Sequence, residues 1–193
     1  TSDANIATSL GTAIHIQIDG TSTTAGSVTK ATIDSNNITN FVTGAGVYFF
    51  GGNNADVGGA PSGNVGTYGD TVTNKIAITN NKMNGGSLGV SNQPDRFFTG
   101  GISGRGSGSF DISNNGTIAQ PITNIDGVVI ELNMFGPGSM TSRITNNVIV
   151  SNNAVSAAGI QPGCDADALA TTSDNGVHDS FVSGNNVSGN DGP

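Results

Sequence analysis

The sequence predicts an all-β solenoid, a right-handed parallel β-helix of about five irregular coils with long loops. Three observations predict it. Only 34% of the 193 residues are hydrophobic and 5% aromatic, with no Trp, too little for a thick globular core; the charged fraction is only 10%, too low for the usual self-repelling disordered chain. Thirty Gly accompany abundant Asn, Ser and Thr, the residues of tight turns and of side chains that bond back to the backbone. One Asn-centred pattern recurs five times, and a repeat of this kind outranks every other signal when a fold is assigned.

The pattern reads apolar, two residues, Asn, one residue, apolar. It appears as Ile33-Asp-Ser-Asn36-Asn-Ile38, Ile78-Thr-Asn-Asn81-Lys-Met83, Ile112-Ser-Asn-Asn115 with Ile118 displaced by one, Ile144-Thr-Asn-Asn147-Val-Ile149, and Val182-Ser-Gly-Asn185-Asn-Val187. A second element, Gly before an apolar strand, follows most copies: Gly46-Val47, Gly101-Ile102, Gly127-Val128 and Gly159-Ile160. The alternation of Ile14, Ile16 and Ile18 marks the same element in a preceding, truncated turn. Gly-rich inserts at residues 51–71 and 85–100 are expected to project as loops.

Residues two apart on a strand share a face. One turn cannot enclose its own apolar face, but stacked turns form a continuous narrow core, with strands about 4.8 Å apart along the axis. The repeat Asn residues, Asn36, Asn81, Asn115, Asn147 and Asn185, fall where the chain must bend, and Asn tolerates left-handed backbone better than other non-Gly residues. In register they are expected to line one corner and hydrogen-bond as a ladder. A β-sandwich and a low-complexity linker are the competing readings of so many Asn-rich turns; the fivefold spacing favours the solenoid.

On these motifs, over residues 11–190, the chain resembles the parallel β-helix repeat family, the pectate-lyase-like solenoids shared by lyases, phage tailspikes and passengers of bacterial surface proteins. The resemblance implies a fold and little about function. Enzymes of that family gather acids, and often Ca²⁺ ligands or a basic residue, on one sheet face. Thr123-Asn124-Ile125-Asp126-Gly127 resembles the Asn-Thr-Asp element of polygalacturonases, and Asp126 with Glu131, the single Glu beside thirteen Asp, would be the acid pair of glycoside hydrolysis. The rest of that pattern, an Asp-Asp pair, Gly-His-Gly and Arg-Ile-Lys, is missing, and Asp before Gly is an ordinary turn. Arg96, Arg105 and Arg143 have no acidic cluster beside them in sequence, which weakens the lyase reading equally.

Other candidates have equally plain alternatives. Asp165, Asp167, Asp174 and Asp179, with His178, read as an acidic loop able to offer oxygen ligands to Ca²⁺, yet their spacing fits no known Ca²⁺ loop and a solvated loop is the simpler reading. No cofactor is otherwise implied. His15 should face outward, and Cys164, isolated, reads as a small buried residue. Thr21-Ser-Thr-Thr24 and Thr71-Val-Thr73 raise an ice-binding face, but the Thr are not repeated coil by coil. Asn37-Ile-Thr39, Asn115-Gly-Thr117 and Asn186-Val-Ser188 fit the glycosylation triplet, as chance alone allows in this composition.

A formal charge of −8 with six Lys plus Arg argues against nucleic acid as a partner. No apolar run reaches the roughly 18 residues of a membrane span, and no signal segment is evident. One Cys excludes an intrachain disulfide framework, and the acidic, Asn/Thr/Gly-rich composition points to an extracellular or cell-surface place, bacterial by resemblance. Both termini lack a polar cap, so residues 1–193 are expected to form a single β-helix domain that belongs to a longer chain or stacks end to end with itself into a fibre. The resulting expectation is a structural or adhesive module. A polysaccharide-binding or polysaccharide-cleaving solenoid is the second, an ice-binding solenoid the third.

Overall fold

A computed structural model of the chain describes residues 12–18, 27–28, 30–41, 45–51, 67–68, 75–85, 100–105, 107–125, 128–135, 139–150, 159–165 and 177–189. All regular structure among them is β, and the chain runs through the same circuit five times. The first coil holds β1 (Ile14–Ile18), β2 (Ser27–Val28), β3 (Ala31–Asp34) and β4 (Asn37–Thr39), and the second β5 (Ala45–Gly51), β6 (Thr67–Tyr68), β7 (Ile76–Thr79) and β8 (Lys82–Asn84). The third holds β9 (Gly100–Arg105), β10 (Ser107–Ser113) and β11 (Ile122–Thr123), the fourth β12 (Ile130–Phe135), β13 (Ser139–Thr145) and β14 (Val148–Val150), and the fifth β15 (Ile160–Asp165), β16 (Val177–Ser183) and β17 (Asn186–Ser188). Each coil gives one strand path to each of three sheets, and every pairing is parallel. This is a parallel β-helix.

Register turns the repeat into rows along the axis. Ile33, Ile78, Ile112, Ile144 and Val182 pair in sequence on the second sheet. Ile38 pairs with Met83 on the third, where Ile122, Ile149 and Val187 continue the row. On the first sheet the row is Ile14, Val47, Ile102, Ile130 and Ile160. These rows meet in one core, with Phe49 and Phe110 packed edge to face at 5.9 Å between the first and second sheets. A core one side chain deep from each sheet needs few apolar residues, which reconciles the composition with a folded chain.

Four sequence expectations change in register or place. Ile118 is not the second apolar residue of the third repeat: it is 88% exposed, and Ile122 fills the row. Gly116 adopts φ +72° and leads the chain out of the third sheet, a turn closes where Thr117 and Gln120 exchange backbone hydrogen bonds, and the chain re-enters at Ile122. In the fourth coil Val129 takes the place of Gly46, Gly101 and Gly159, because Ile130 rather than Val128 pairs with Ile102. Within the insert at 51–71, Thr67–Tyr68 is a strand of the second sheet, paired with Ser27–Val28 and Ser107–Gly108.

The fourth concerns the corner between the second and third sheets. The left-handed residue there is the one before each repeat Asn: Ser35, Asn80, Asn114, Asn146 and Gly184 have φ between 56° and 67°. An L side chain in that region crowds its own backbone, least so for Asn and not at all for Gly. The division of labour follows: the first corner residue bends the chain and the second turns its amide inward. A second left-handed corner follows the third sheet at Asn40, Asn124 and Gly189.

Because the Asn114 side chain is exposed and its backbone carries the bend, Asn114→Ala is expected to cost about 1 kcal/mol from left-handed strain, and Asn114→Gly less. Urea denaturation of the two variants measures the difference; equal costs would show that the bend is not what the residue supplies.

Candidate functional site

Among the described residues, the most ordered polar array is the line of repeat Asn residues. Asn36 Nδ2 donates to Asn81 Oδ1 at 2.9 Å, Asn81 to Asn115 at 3.0 Å, Asn115 to Asn147 at 2.9 Å and Asn147 to Asn185 at 2.9 Å. The same oxygens accept the backbone N–H of the Asn one coil earlier, at 2.9 to 3.0 Å. The second amide proton goes to the apolar residue that opens the previous coil's motif: Asn81 to Ile33, Asn115 to Ile78, Asn147 to Ile112 and Asn185 to Ile144. Asn81, Asn115 and Asn147 thus make two donations and two acceptances each while fully buried. No other side chain of that size offers two donors and a two-fold acceptor without charge. Burial and full use of the amide also exclude Asn115 as a glycan acceptor in the folded chain, whereas Asn37 and Asn186 are exposed.

Among the described residues, the other sequence candidates are not brought together. Glu131 lies on the outward row of the first sheet, with His15, Tyr48, Ser103 and Gln161 in register. It is only 8% exposed, and its Oε1 accepts the Asn133 amide at 2.7 Å. His15 faces outward, its ring 5.0 Å from that of Tyr48. Asp126, Asp167 and Asp174 lie outside the described residues, as do Thr21 to Thr24, Thr71, Thr73 and Arg96. Asp165 ends β15, and its side chain, like those of Cys164 and Arg105, lies outside them too. His178 and Asp179 are not in a loop: adjacent on β16, they point to opposite faces, and an acidic loop containing both does not form. No three His, Cys, Asp or Glu side chains gather in a metal-holding group among the described residues.

The outward face of the second sheet mixes its chemistry along each row. Thr32, Ala77, Asp111, Arg143 and Phe181 follow one another, with Lys75 paired to Asp111 and the Arg143 guanidinium 5.4 Å from the Phe181 ring centroid. Nearer the corner Asp34 is followed by Thr79, Ser113, Thr145 and Ser183. Thr79 and Asn80 donate to Asp34 Oδ1 at 2.5 and 2.7 Å and Ser35 to Oδ2 at 2.8 Å. These bonds hold its carboxyl below the usual range. Hydroxyls form one row, and charged and aromatic groups interrupt the next, so a uniform Thr-bearing plane is not formed there.

Sequence reasoning passed over one polar cluster inside the solenoid. In the fourth and fifth coils the inward positions Ser142 and Ser180 are paired, and His178 is the inward neighbour of Ser180. Ser142 Oγ lies 2.8 Å from His178 Nε2 and 2.9 Å from Ser180 Oγ, and His178 Nδ1 is 3.0 Å from the Gly163 carbonyl oxygen. A carbonyl only accepts, so Nδ1 carries a proton and, in the neutral ring, Nε2 accepts from Ser142. Alternation along β16 was the available signal, since it puts His178, Ser180 and Val182 on one face. No family model, curated protein or solved structure matches the chain.

Two measurements follow. Removing the amide in Asn115→Ala leaves the Asn81 N–H, an Asn81 amide proton and the Ile78 carbonyl unmatched in the interior, a loss on the order of 3 kcal/mol or more. Asn36→Ala, at an exposed end with the Asn81 oxygen still served by a backbone N–H, should cost under about 1 kcal/mol; equal urea midpoints would refute the ladder's role in stability.

The second is pH dependence. Burial lowers the His178 pKa below 6.5, against the opposing pulls of its bond to Gly163 and the charge of Asp179. The unfolded chain therefore takes up this proton first, so stability is level above about pH 7.5 and declines as pH falls through the unfolded value of about 6.5 toward the folded pKa. The denaturation midpoint should drop between about pH 7.5 and about pH 5.5, and His178→Gln should flatten the decline. An unchanged slope in that variant assigns the effect elsewhere.

Proposed function

We propose that this chain is an extracellular, cell-surface structural or adhesive module: a stiff β-solenoid of bacterial type whose job is to hold length and present a surface. The observation that carries this reading is the unbroken Asn line through all five coils. Its internal amides have every donor and acceptor engaged by the chain itself, so the most conspicuous polar array serves rigidity and offers nothing to a ligand. The carboxylate of Glu131 is shielded and bonded to its own strand, an arrangement unsuited to protonating a glycosidic oxygen. The −8 charge with few basic residues suits a surface that stays soluble and repels nucleic acid.

The rival within reach of this fold is a solenoid that binds or cleaves polysaccharide. Incubation of the purified chain with pectin, alginate and related acidic glycans is expected to release neither reducing nor unsaturated ends. Release that disappears in Asp126→Asn or Glu131→Gln would replace the structural reading with an enzymatic one.

A further inference from the structure

The Asn line contains one chemically labile link. Its members are followed by Asn37, Lys82, Gly116, Val148 and Asn186, so only Asn115 precedes a glycine. In an Asn-Gly pair the backbone nitrogen after the Asn reaches the side-chain amide carbon unhindered, because Gly has no Cβ and leaves the chain free to bend back. The fold requires this pair. Asn115 supplies two donations and two acceptances to the line. Gly116 turns the chain out of the third sheet at φ +72°, where a Cβ would meet the Val148 carbonyl oxygen at 2.4 Å. The architecture thus demands, side by side, the two residues that deamidate most readily in a free chain.

In the folded chain every reacting group is held. Gly116 N–H donates to the Asn81 carbonyl at 2.7 Å and Val148 N–H to the Asn115 carbonyl at 2.9 Å, which pins the peptide plane from both sides. The Asn115 amide cannot turn toward the Gly116 nitrogen without breaking four hydrogen bonds of 2.8 to 3.0 Å. Asn115 is 0% exposed and Gly116 is buried, so solvent base has no access to the Gly116 proton.

We propose that Asn115 is a fold-gated modification site, silent in the solenoid and converted to aspartate or isoaspartate in a chain that stays unfolded. The Gly116 nitrogen gives its proton to solvent base and attacks Asn115 Cγ; the bond from Cγ to Nδ2 breaks and ammonia leaves. Water then opens the resulting succinimide at either carbonyl. Opening that leaves the original main chain gives an aspartate, whose carboxylate replaces both amide protons with an oxygen facing two acceptors, Asn147 Oδ1 and the Ile78 carbonyl. Opening on the other side gives isoaspartate and routes the main chain through Cβ and Cγ. The added atom falls between the Asn115 N–H, bonded to Asn147 Oδ1, and the Asn115 carbonyl, bonded to Val148 N–H. Neither product can rebuild this corner, because each leaves buried polar groups unmatched. Prolonged unfolding is therefore a one-way event for this chain.

The test holds the full 193-residue chain for days at mildly alkaline pH, folded in buffer and unfolded in guanidinium chloride, with peptide mapping by mass spectrometry through the series. Conversion at Asn115 is expected to be roughly a hundredfold or more slower in the folded chain, which reacts only through the small fraction opened at this corner. The Asn84-Gly85 pair, whose Asn is exposed, is the reference in the same molecule. Equal rates at Asn115 in the two samples, or no conversion there in denaturant while Asn84 converts, would overturn the proposal. Asn115→Asp tests the product directly and should lose the β-rich circular dichroism. Asn84→Asp, which keeps an acceptor for the Asn124 amide, should retain it. An Asn115→Asp chain that folds with the unsubstituted denaturation midpoint would equally overturn it.

Discussion

A buried amide must find a partner for every proton and lone pair it brings inside, and the geometry of this molecule is organised around one place where that happens in three successive coils. The corner between the second and third sheets puts Asn81, Asn115 and Asn147 wholly out of water. Each is tolerable there because the coil before and the coil after supply its partners at the spacing of parallel strands. The same bonds fix register: a coil slipped by one residue would place the left-handed residue, Asn80 or Asn114, where the inward amide belongs and leave the line broken. Parallel strands otherwise slide at modest cost when their faces are small and polar.

From that register the rest of the interior follows. With the corners in line, the apolar residues on either side of each Asn stack into rows, and the rows from three sheets meet in a core narrow enough for a chain with 34% hydrophobic residues to fill. Loops of different length are tolerated because they leave and re-enter at fixed points. The excursion from Gly116 to Ile122 shows how: the chain departs through a left-handed Gly and returns with the row intact. A Cβ at Gly116 would lie 2.4 Å from the Val148 carbonyl oxygen, so both the bend and the close approach need Gly there.

The fifth coil is the least apolar inside. His178 and Ser180 stand where other coils have Met140, Ile76 or Phe110, and Val182 and Val187 are partly in water. A neutral imidazole held between a carbonyl and a hydroxyl satisfies its own polarity, but contributes less to cohesion than an aliphatic side chain would. The solenoid is thus graded along its axis, firm through the middle coils and more polar at the C-terminal face.

The sequence by itself determined the class of fold, the number of coils and the five residues of the Asn line, because period and composition are local properties and the spacings of 45, 34, 32 and 38 residues survive whatever the loops do. It also carried the inward alternation of β16, from which His178 could have been placed inside. Beyond that line, it did not carry which residue meets which across coils. Ile118 and Ile122 are equally apolar, and only closure of the Thr117–Gln120 turn decides that the second one enters the core. Asn114 and Asn115 are the same residue type, and only backbone handedness at the corner decides which bends and which bonds. His178 and Asp179 read from sequence as part of an acidic loop with Asp165, Asp167 and Asp174; both lie on β16 instead, where a strand sends neighbours to opposite faces.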